Sequence, residues 1–271
     1  MSDNVVAIIQ GRMSSTRLPG KILAEIEGHP MLQRVYERVS RARRVDRVLF
    51  ATSDHPSDDV AAEFCARQGI PYVRGNLYDV LDRYYQAARA AEAIIIVRIT
   101  ADCPLIDPQL IDEAIAALQA GGYDFVCNRL PPPWHRTYPI GLDVEVCTFA
   151  ALERAWKEAS EPHQREHVMP YFYEGSTLRP LSPGMEIGVS PRGFRLALLH
   201  APADYGHYRW TVDTAEDLEF VRRIFSHFGG RDDFSWQEVL ALLERHPELM
   251  TINAGITHKT LYDIDPRMGK V

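Results

Sequence analysis

The chain has 271 residues, 46% of them hydrophobic and 25% charged, and a formal net charge of −7. This is an ordinary globular composition, enough for one large α/β domain or two small ones; the negative balance argues against a general nucleic-acid binder, and no apolar run approaches the ~20 residues that cross a bilayer. Without a secretory leader a cytoplasmic location is expected, and the four scattered cysteines, Cys65, Cys103, Cys127 and Cys147, read as reduced, mostly buried thiols rather than zinc ligands.

Val5, Ala7, Ile8 and Ile9 read as a buried strand that runs straight into a loop holding three cations, Arg12, Arg17 and Lys21. Gly11, Ser14, Ser15, Thr16, Pro19 and Gly20 let that loop turn tightly and offer N–H and hydroxyl donors, so with the cations they suit a polyphosphate. A solvated surface loop is the plainer alternative, but the order strand, cationic loop, helix favours a nucleoside triphosphate cradle. It is not a Walker loop, because Ser15 stands where the first glycine should and Ile22 where Ser or Thr should hold magnesium. Nor is it a dinucleotide fingerprint, since Arg12-Met13 follows Gly11 in place of spaced glycines, which disfavours a nicotinamide enzyme.

Leu32, Val35, Tyr36 and Val39 predict a helix over 31–43, and 45–52 reads as a second strand ended by Ser53-Asp54. Helices are expected over 57–68 and 77–91, a short strand over 71–73, and an apolar strand over 93–99. This alternation indicates βαβ units around a largely parallel sheet. Asp107-Pro108 is a good helix start, with Gly121-Gly122 as its stop. After a strand over 123–126, Pro131, Pro132 and Pro133 make 128–138 a projecting flap. Leu142, Val144 and Val146 then alternate with Asp143 and Glu145, so one strand face is apolar and the other carries two carboxylates. Helices are expected over 149–159 and 164–173, and an extended stretch over 188–199. Leu218, Val221, Phe225 and Phe228 form a helical stripe, and Ser235 to Glu238 reads as a capping box for a last helix.

Asp102 follows the apolar strand, so it should emerge at a carboxyl end, where open α/β sheets place their ligands. Asp213 precedes the amphipathic helix and is read either as a metal ligand or as a helix cap with Thr214. Magnesium takes a few carboxylates together with phosphate oxygens, so Asp102 and Asp213 meeting at a triphosphate is reasonable chemistry for Mg²⁺. Asp143 and Glu145 could hold a second metal or a polyol, or form a solvated face. Cys103 needs no role as a nucleophile.

The segment QGRMSSTRLPGKIL resembles the signature QARMxSTRLPGKxL of the cytidylyltransferases that activate sugar acids, nearest the spore coat polysaccharide F-like branch. TADCPLID at 100–107, REHVMPY at 165–171 and RWTVDTAEDLEFV at 209–221 resemble that branch too. Gly11 replaces the branch's usual alanine and is expected to alter little. The resemblance implies a three-layer α/β/α sandwich with a mainly parallel mixed sheet, the GT-A-like nucleotide-diphospho-sugar transferase fold, and transfer of CMP from CTP to a sugar-acid or polyol hydroxyl with loss of pyrophosphate. It implies Arg12, Lys21, Asp102 and Asp213 as catalytic groups, with the two aspartates on the metal. Gln10, Gly11, Ser14, Ser15, Thr16, Arg17, Asp54, Arg74, Arg98 and Thr100 join the nucleotide-binding set. Arg83, Asp143, Glu145, Glu166 and His167 form the acceptor set, although a mixed-charge surface helix would also account for 165–167 and an Asp79 salt bridge for Arg83. The transferase domain is expected over 1–246, with 247–271 packing back on it or on a partner in a homodimer. Glycosyl transfer from a nucleotide sugar, or nucleotide binding without turnover, are the alternatives.

Overall fold

The computed structural model describes residues 3–257. Strand β1 (Val5–Gln10) is followed by a ribbon of β2 (Glu25–Ile26) and β3 (His29–Pro30), then α1 (Met31–Val39), β4 (Arg47–Ser53), α2 (Asp59–Gln68), β5 (Tyr72–Gly75), α3 (Val80–Ala90) and β6 (Ile95–Thr100). The second half holds α4 (Pro108–Gly121), β7 (Phe125–Cys127), β8 (Glu145–Thr148), α5 (Phe149–Glu158), α6 (Pro162–His167), α7 (Pro170–Tyr173), β9 (Arg179–Ser182), β10 (Met185–Val189), β11 (Arg195–Leu199), α8 (Ala215–His227) and α9 (Trp236–Arg245).

Nine strands form one sheet in the order β5-β4-β1-β6-β8-β7-β11-β10-β9. The half from β5 to β6 is parallel, and β8 enters antiparallel between β6 and β7. Because side chains alternate along a strand, β1 serves two cores at once. Val5, Ala7 and Ile9 face a layer containing Leu32, Ile111, Val221 and Leu242, while Val6 and Ile8 face one containing Leu81, Tyr84, Leu152 and Phe172. The result is the three-layer sandwich.

Several expected elements take another form. The helix expected over 164–173 is two short ones, broken at Val168 with φ 71°; Pro170 has no N–H to continue the first helix's hydrogen-bond ladder and starts the second. The extended stretch over 188–199 is the turn and inner parts of the antiparallel pair β10–β11. An unforeseen strand, β9, lies on the sheet edge, where Pro180 is tolerated for want of a ladder bond to donate. The helix expected from 77 starts at Val80, because Asp79 Oδ1 accepts from Asp82 N at 2.9 Å and caps it. The helix expected to run to 43 stops at Val39. From 247 the chain makes a tight 3-10 turn, Pro247–Thr251; of the expected extension, residues 258–271 lie outside the described residues.

Candidate active site

At Gln10 the chain leaves the sheet and becomes the cationic loop. Gly11 N donates to Ala51 O at 3.2 Å, Met13 N to Asp58 Oδ1 at 2.8 Å, and Gly20 N to Met13 O at 2.8 Å, which closes the loop on itself. Asp58 is fully buried and also accepts from Thr52 Oγ1 at 3.0 Å and Ser53 N at 3.1 Å, so one carboxylate fixes both the loop and the end of β4. Sequence reasoning missed it, since in HPSDD it reads as an ordinary helix start. Gly20, at φ 74°, takes the left-handed turn that delivers Lys21.

Gly11 serves a different purpose. A Cβ there would lie 2.7 Å from the Cβ of Ala101, closer than two carbons can sit, and 3.1 Å from the Phe50 ring. The expectation that glycine here alters little is therefore corrected: the loop and the turn after β6 touch at this position, and the contact needs a residue without a side chain.

Lys21 joins the two sides of the site. Its Nζ donates to Asp102 Oδ2 at 2.7 Å, Asp213 Oδ1 at 3.0 Å and Val212 O at 2.8 Å. Burial alone would lower its pKa, but the two carboxylates outweigh burial and raise it. Arg17 Nη2 lies 2.8 Å from Asp213 Oδ2, and Arg209 Nη2 donates to the same oxygen at 2.9 Å. Burial would push the Asp213 carboxyl up; Lys21, Arg17 and Arg209 instead hold it well below the usual carboxylate range. Arg209 in turn grips both oxygens of buried Asp217 at 2.9 Å, and Asn253 Nδ2 donates to Asp217 Oδ1 at 2.9 Å. Arg209 and Asp217 were overlooked as supports, although both lie in the RWTVDTAED run, four residues either side of Asp213.

Asp213 does not cap α8. Thr214 Oγ1 accepts from Asp217 N at 3.3 Å and Thr214 N donates to Asp217 Oδ2 at 3.1 Å, so those two residues form the capping box. Asp213 is left facing the cleft. Three oxygens, from Asp102, Asp213 and Val212, thus converge on a single cation, the Lys21 ammonium. The same two carboxylates fit Mg²⁺, a hard ion that completes its shell with phosphate oxygens and water. Among the described residues no group of three or more His, Cys, Asp or Glu side chains is set for a metal.

These groups line a cleft of about 280 Å³ at the carboxyl ends of β1 and β6, walled by Gln10, Gly11, Arg12, Ser15, Thr16 and Arg17 on one side and by Arg98, Thr100, Asp102 and Asp213 on the other. Glu166 and His167, at the end of α6, also line it. Of the residues expected to bind nucleotide, Ser14, Asp54 and Arg74 stand outside that lining. Arg74 ties the exit of β4, donating to Ser53 O at 2.9 Å, His55 O at 3.1 Å and Asp59 Oδ1 at 2.7 Å. Asp54 lines a neighbouring cleft of about 530 Å³ beside Asn76, Leu77 and Tyr78.

The expected acceptor residues divide. Asp143 and Glu145 do not share a strand face, because β8 begins only at Glu145. Nor is that face solvated: Glu145 is 4% exposed and paired with Arg98, while Asp143 pairs with Arg136. Arg129, which sequence reasoning missed, stands beside both carboxylates, which raise its pKa against the effect of burial. The salt bridge weighed between Arg83 and Asp79 is replaced by one from Arg165 to Asp79, which fixes α6 against the start of α3. Arg83 is buried and stands outside the lining of the cleft. All four cysteines are free and buried, and burial holds the Cys103 thiol well above its ordinary pKa.

The sequence profile of the cytidylyltransferase family matches residues 6–226. The spore coat polysaccharide biosynthesis protein SpsF of Bacillus subtilis is 32% identical over 258 residues, covering 92% of this chain and 98% of SpsF. A 3-deoxy-manno-octulosonate cytidylyltransferase of Solibacter usitatus is 32% identical over 245 residues, covering 83% of this chain and 96% of the relative. Among solved structures, a cytidylyltransferase from Leptospira borgpetersenii superposes with a TM-score of 0.81 at 30% identity, covering 94% of this chain and all of that one.

Proposed function

The chain belongs to the cytidylyltransferase family, nucleotidyltransferases of the nucleotide-diphospho-sugar transferase fold, and from that premise we propose that it moves CMP from CTP to a hydroxyl of a sugar acid or related acceptor, releasing pyrophosphate. The observation that carries this reading is the convergence of the cationic loop and the Asp102–Asp213 pair on one cleft. Sugar-acid chemistry is supported by the relative named for 3-deoxy-manno-octulosonate.

In this reading Arg12, Arg17 and Lys21 bind the triphosphate, whose charge they oppose through several charge-assisted hydrogen bonds. Asp102 and Asp213 would hold Mg²⁺, which supplies neutralisation of charge on the α-phosphate. Glu166 and His167 contact the acceptor, whose hydroxyl attacks the α-phosphorus in line while the bond to pyrophosphate breaks. The hydroxyl's proton is released to water. Rate enhancement comes from positioning and charge neutralisation, with no covalent intermediate, and the buried, protonated Cys103 thiol fits that scheme.

The test is a screen of four nucleoside triphosphates against sugar acids and phosphorylated polyols, read by pyrophosphate release. Release with CTP that depends on an acceptor is expected. Release of the nucleotide from a preformed nucleotide sugar with no pyrophosphate formed from CTP, or CTP binding with no acceptor-dependent product, would overturn the reading.

A further inference from the structure

The turn after α9 reaches back to the aspartate pair. Pro247 opens its short 3-10 helix and Leu249 is buried in the core, so the chain that follows is brought to the first turn of α8. There Asn253, 6% exposed, donates from Nδ2 to Asp217 Oδ1 at 2.9 Å and to Arg209 O at 3.0 Å, which takes up both protons of its amide nitrogen.

Asp217 is where these contacts gather. It is fully buried, Arg209 Nε and Nη2 donate to its two oxygens at 2.9 Å, and its Oδ2 also accepts from Asp213 N at 3.0 Å and Thr214 N at 3.1 Å. The carboxylate thus holds the backbone of Asp213, while Arg209 Nη2 holds the Asp213 side chain at 2.9 Å. A side chain that secures Asp217 and Arg209 together secures Asp213 at both ends.

Asp213 needs such an anchor because two of its cations have another task. Lys21 and Arg17 belong to the loop that takes the triphosphate, whereas Arg209 is committed to the protein through Asp217. An asparagine suits the support: it offers two N–H donors and no charge, so it orders Asp217 without competing with Arg209, where a lysine would compete and an aspartate would repel. We propose that Asn253 is a positioning residue for the transfer, fixing the Asp217–Arg209 pair and so setting the direction in which Asp213 meets Mg²⁺. The assignment rests on the nucleotidyl-transfer reading above. It makes the C-terminal turn part of the working site, although Asn253 does not line the cleft.

The experiment measures Mn²⁺ affinity by electron paramagnetic resonance with CTP present and no acceptor, alongside the Mg²⁺ dependence of pyrophosphate release, the KM for CTP and melting temperatures. The proteins compared are wild type, Asn253→Ala, Asn253→Asp, Asp213→Asn and Leu249→Ala; the last loosens the same turn and removes no hydrogen bond between Asn253 and Asp213. The hydrogen-bond partners of a metal ligand are worth about 10- to 100-fold in affinity or rate, and Asn253 stands one contact further out, so Asn253→Ala should weaken Mn²⁺ binding and raise the Mg²⁺ requirement about 10-fold, with the KM for CTP little changed at saturating Mg²⁺. Asn253→Asp should cost more, because a second carboxylate then meets Asp217. Leu249→Ala should melt lower than wild type yet bind Mn²⁺ as wild type does. Wild-type Mn²⁺ affinity in Asn253→Ala, or an equal loss of affinity in Leu249→Ala, would overturn the assignment; should Asn253→Asp fail to fold, Asn253→Ala decides alone. Unchanged Mn²⁺ affinity in Asp213→Asn would remove the metal assignment and this proposal with it. A wild type that binds Mn²⁺ with CTP but releases no pyrophosphate with any acceptor would count against the transfer reading, while the Mn²⁺ comparison still decides whether Asn253 positions Asp213.

Discussion

Lys21 makes its contacts with both aspartates and the Val212 carbonyl, so replacing it should have two separable effects. Lys21→Ala removes a charge-assisted contact to the triphosphate, worth roughly 1.5 to 3 kcal/mol, and CTP affinity should fall about 10- to 100-fold by titration calorimetry. It also leaves Asp102 and Asp213 without their shared cation, and the melting temperature should drop. Asp102→Asn and Asp213→Asn should each abolish turnover, since an amide is a poor ligand for a hard cation. Thr214→Ala is the control at the neighbouring position: loss of its cap should cost about 1 kcal/mol of stability while the Mg²⁺ dependence of the rate stays at the wild-type value. If Asp213→Asn turned over normally, the metal assignment would be wrong.

Between elements, the decisive contact is the one joining the loop after β1 to the turn after β6. Gly11→Ala would place a Cβ 2.7 Å from that of Ala101, and overpacking of this kind costs about 1 to 3 kcal/mol. Denaturant unfolding should register that loss, and the double variant Gly11→Ala/Ala101→Gly should recover most of it. Recovery by the pair would show the contact to be steric; a double variant as unstable as the sum of the singles would show that the loop is strained for another reason. The reach of this packing extends to function, because Asp102 lies next to Ala101 and would be displaced with it.

For the molecule as a whole, the supports of the site should set its behaviour in acid. Burial acts to raise the carboxyls of Asp213 and Asp217, but their cationic and hydrogen-bonding partners hold both below the ordinary value. A carboxyl depressed in the folded state adds stability above its unfolded pKa, about 3.9, and loses it as pH falls through the folded value. Melting temperature should therefore decline steadily below about pH 4, and Asp217→Asn should start lower and fall less steeply. An acid limb of equal slope in that variant would place the depressed carboxyls elsewhere. Among the described residues no helix is long and apolar enough to cross a membrane.

The sequence by itself determined the alternation of strand and helix, the cradle after the first strand and the caps at Asp107 and Ser235, because these depend on near neighbours in the chain. Their places after an apolar strand and before an amphipathic helix, together with the family resemblance, pointed to Asp102 and Asp213, and the fold brings them together on Lys21. What the tertiary structure decided was every choice between partners. Only the packed chain could assign the α8 cap to Thr214 and Asp217, pair Glu145 with Arg98 and Asp143 with Arg136, and send Asp79 to Arg165. The physical reason is that a carboxylate or guanidinium in a one-dimensional pattern has many eligible partners, and burial and distance choose among them only after distant segments have met.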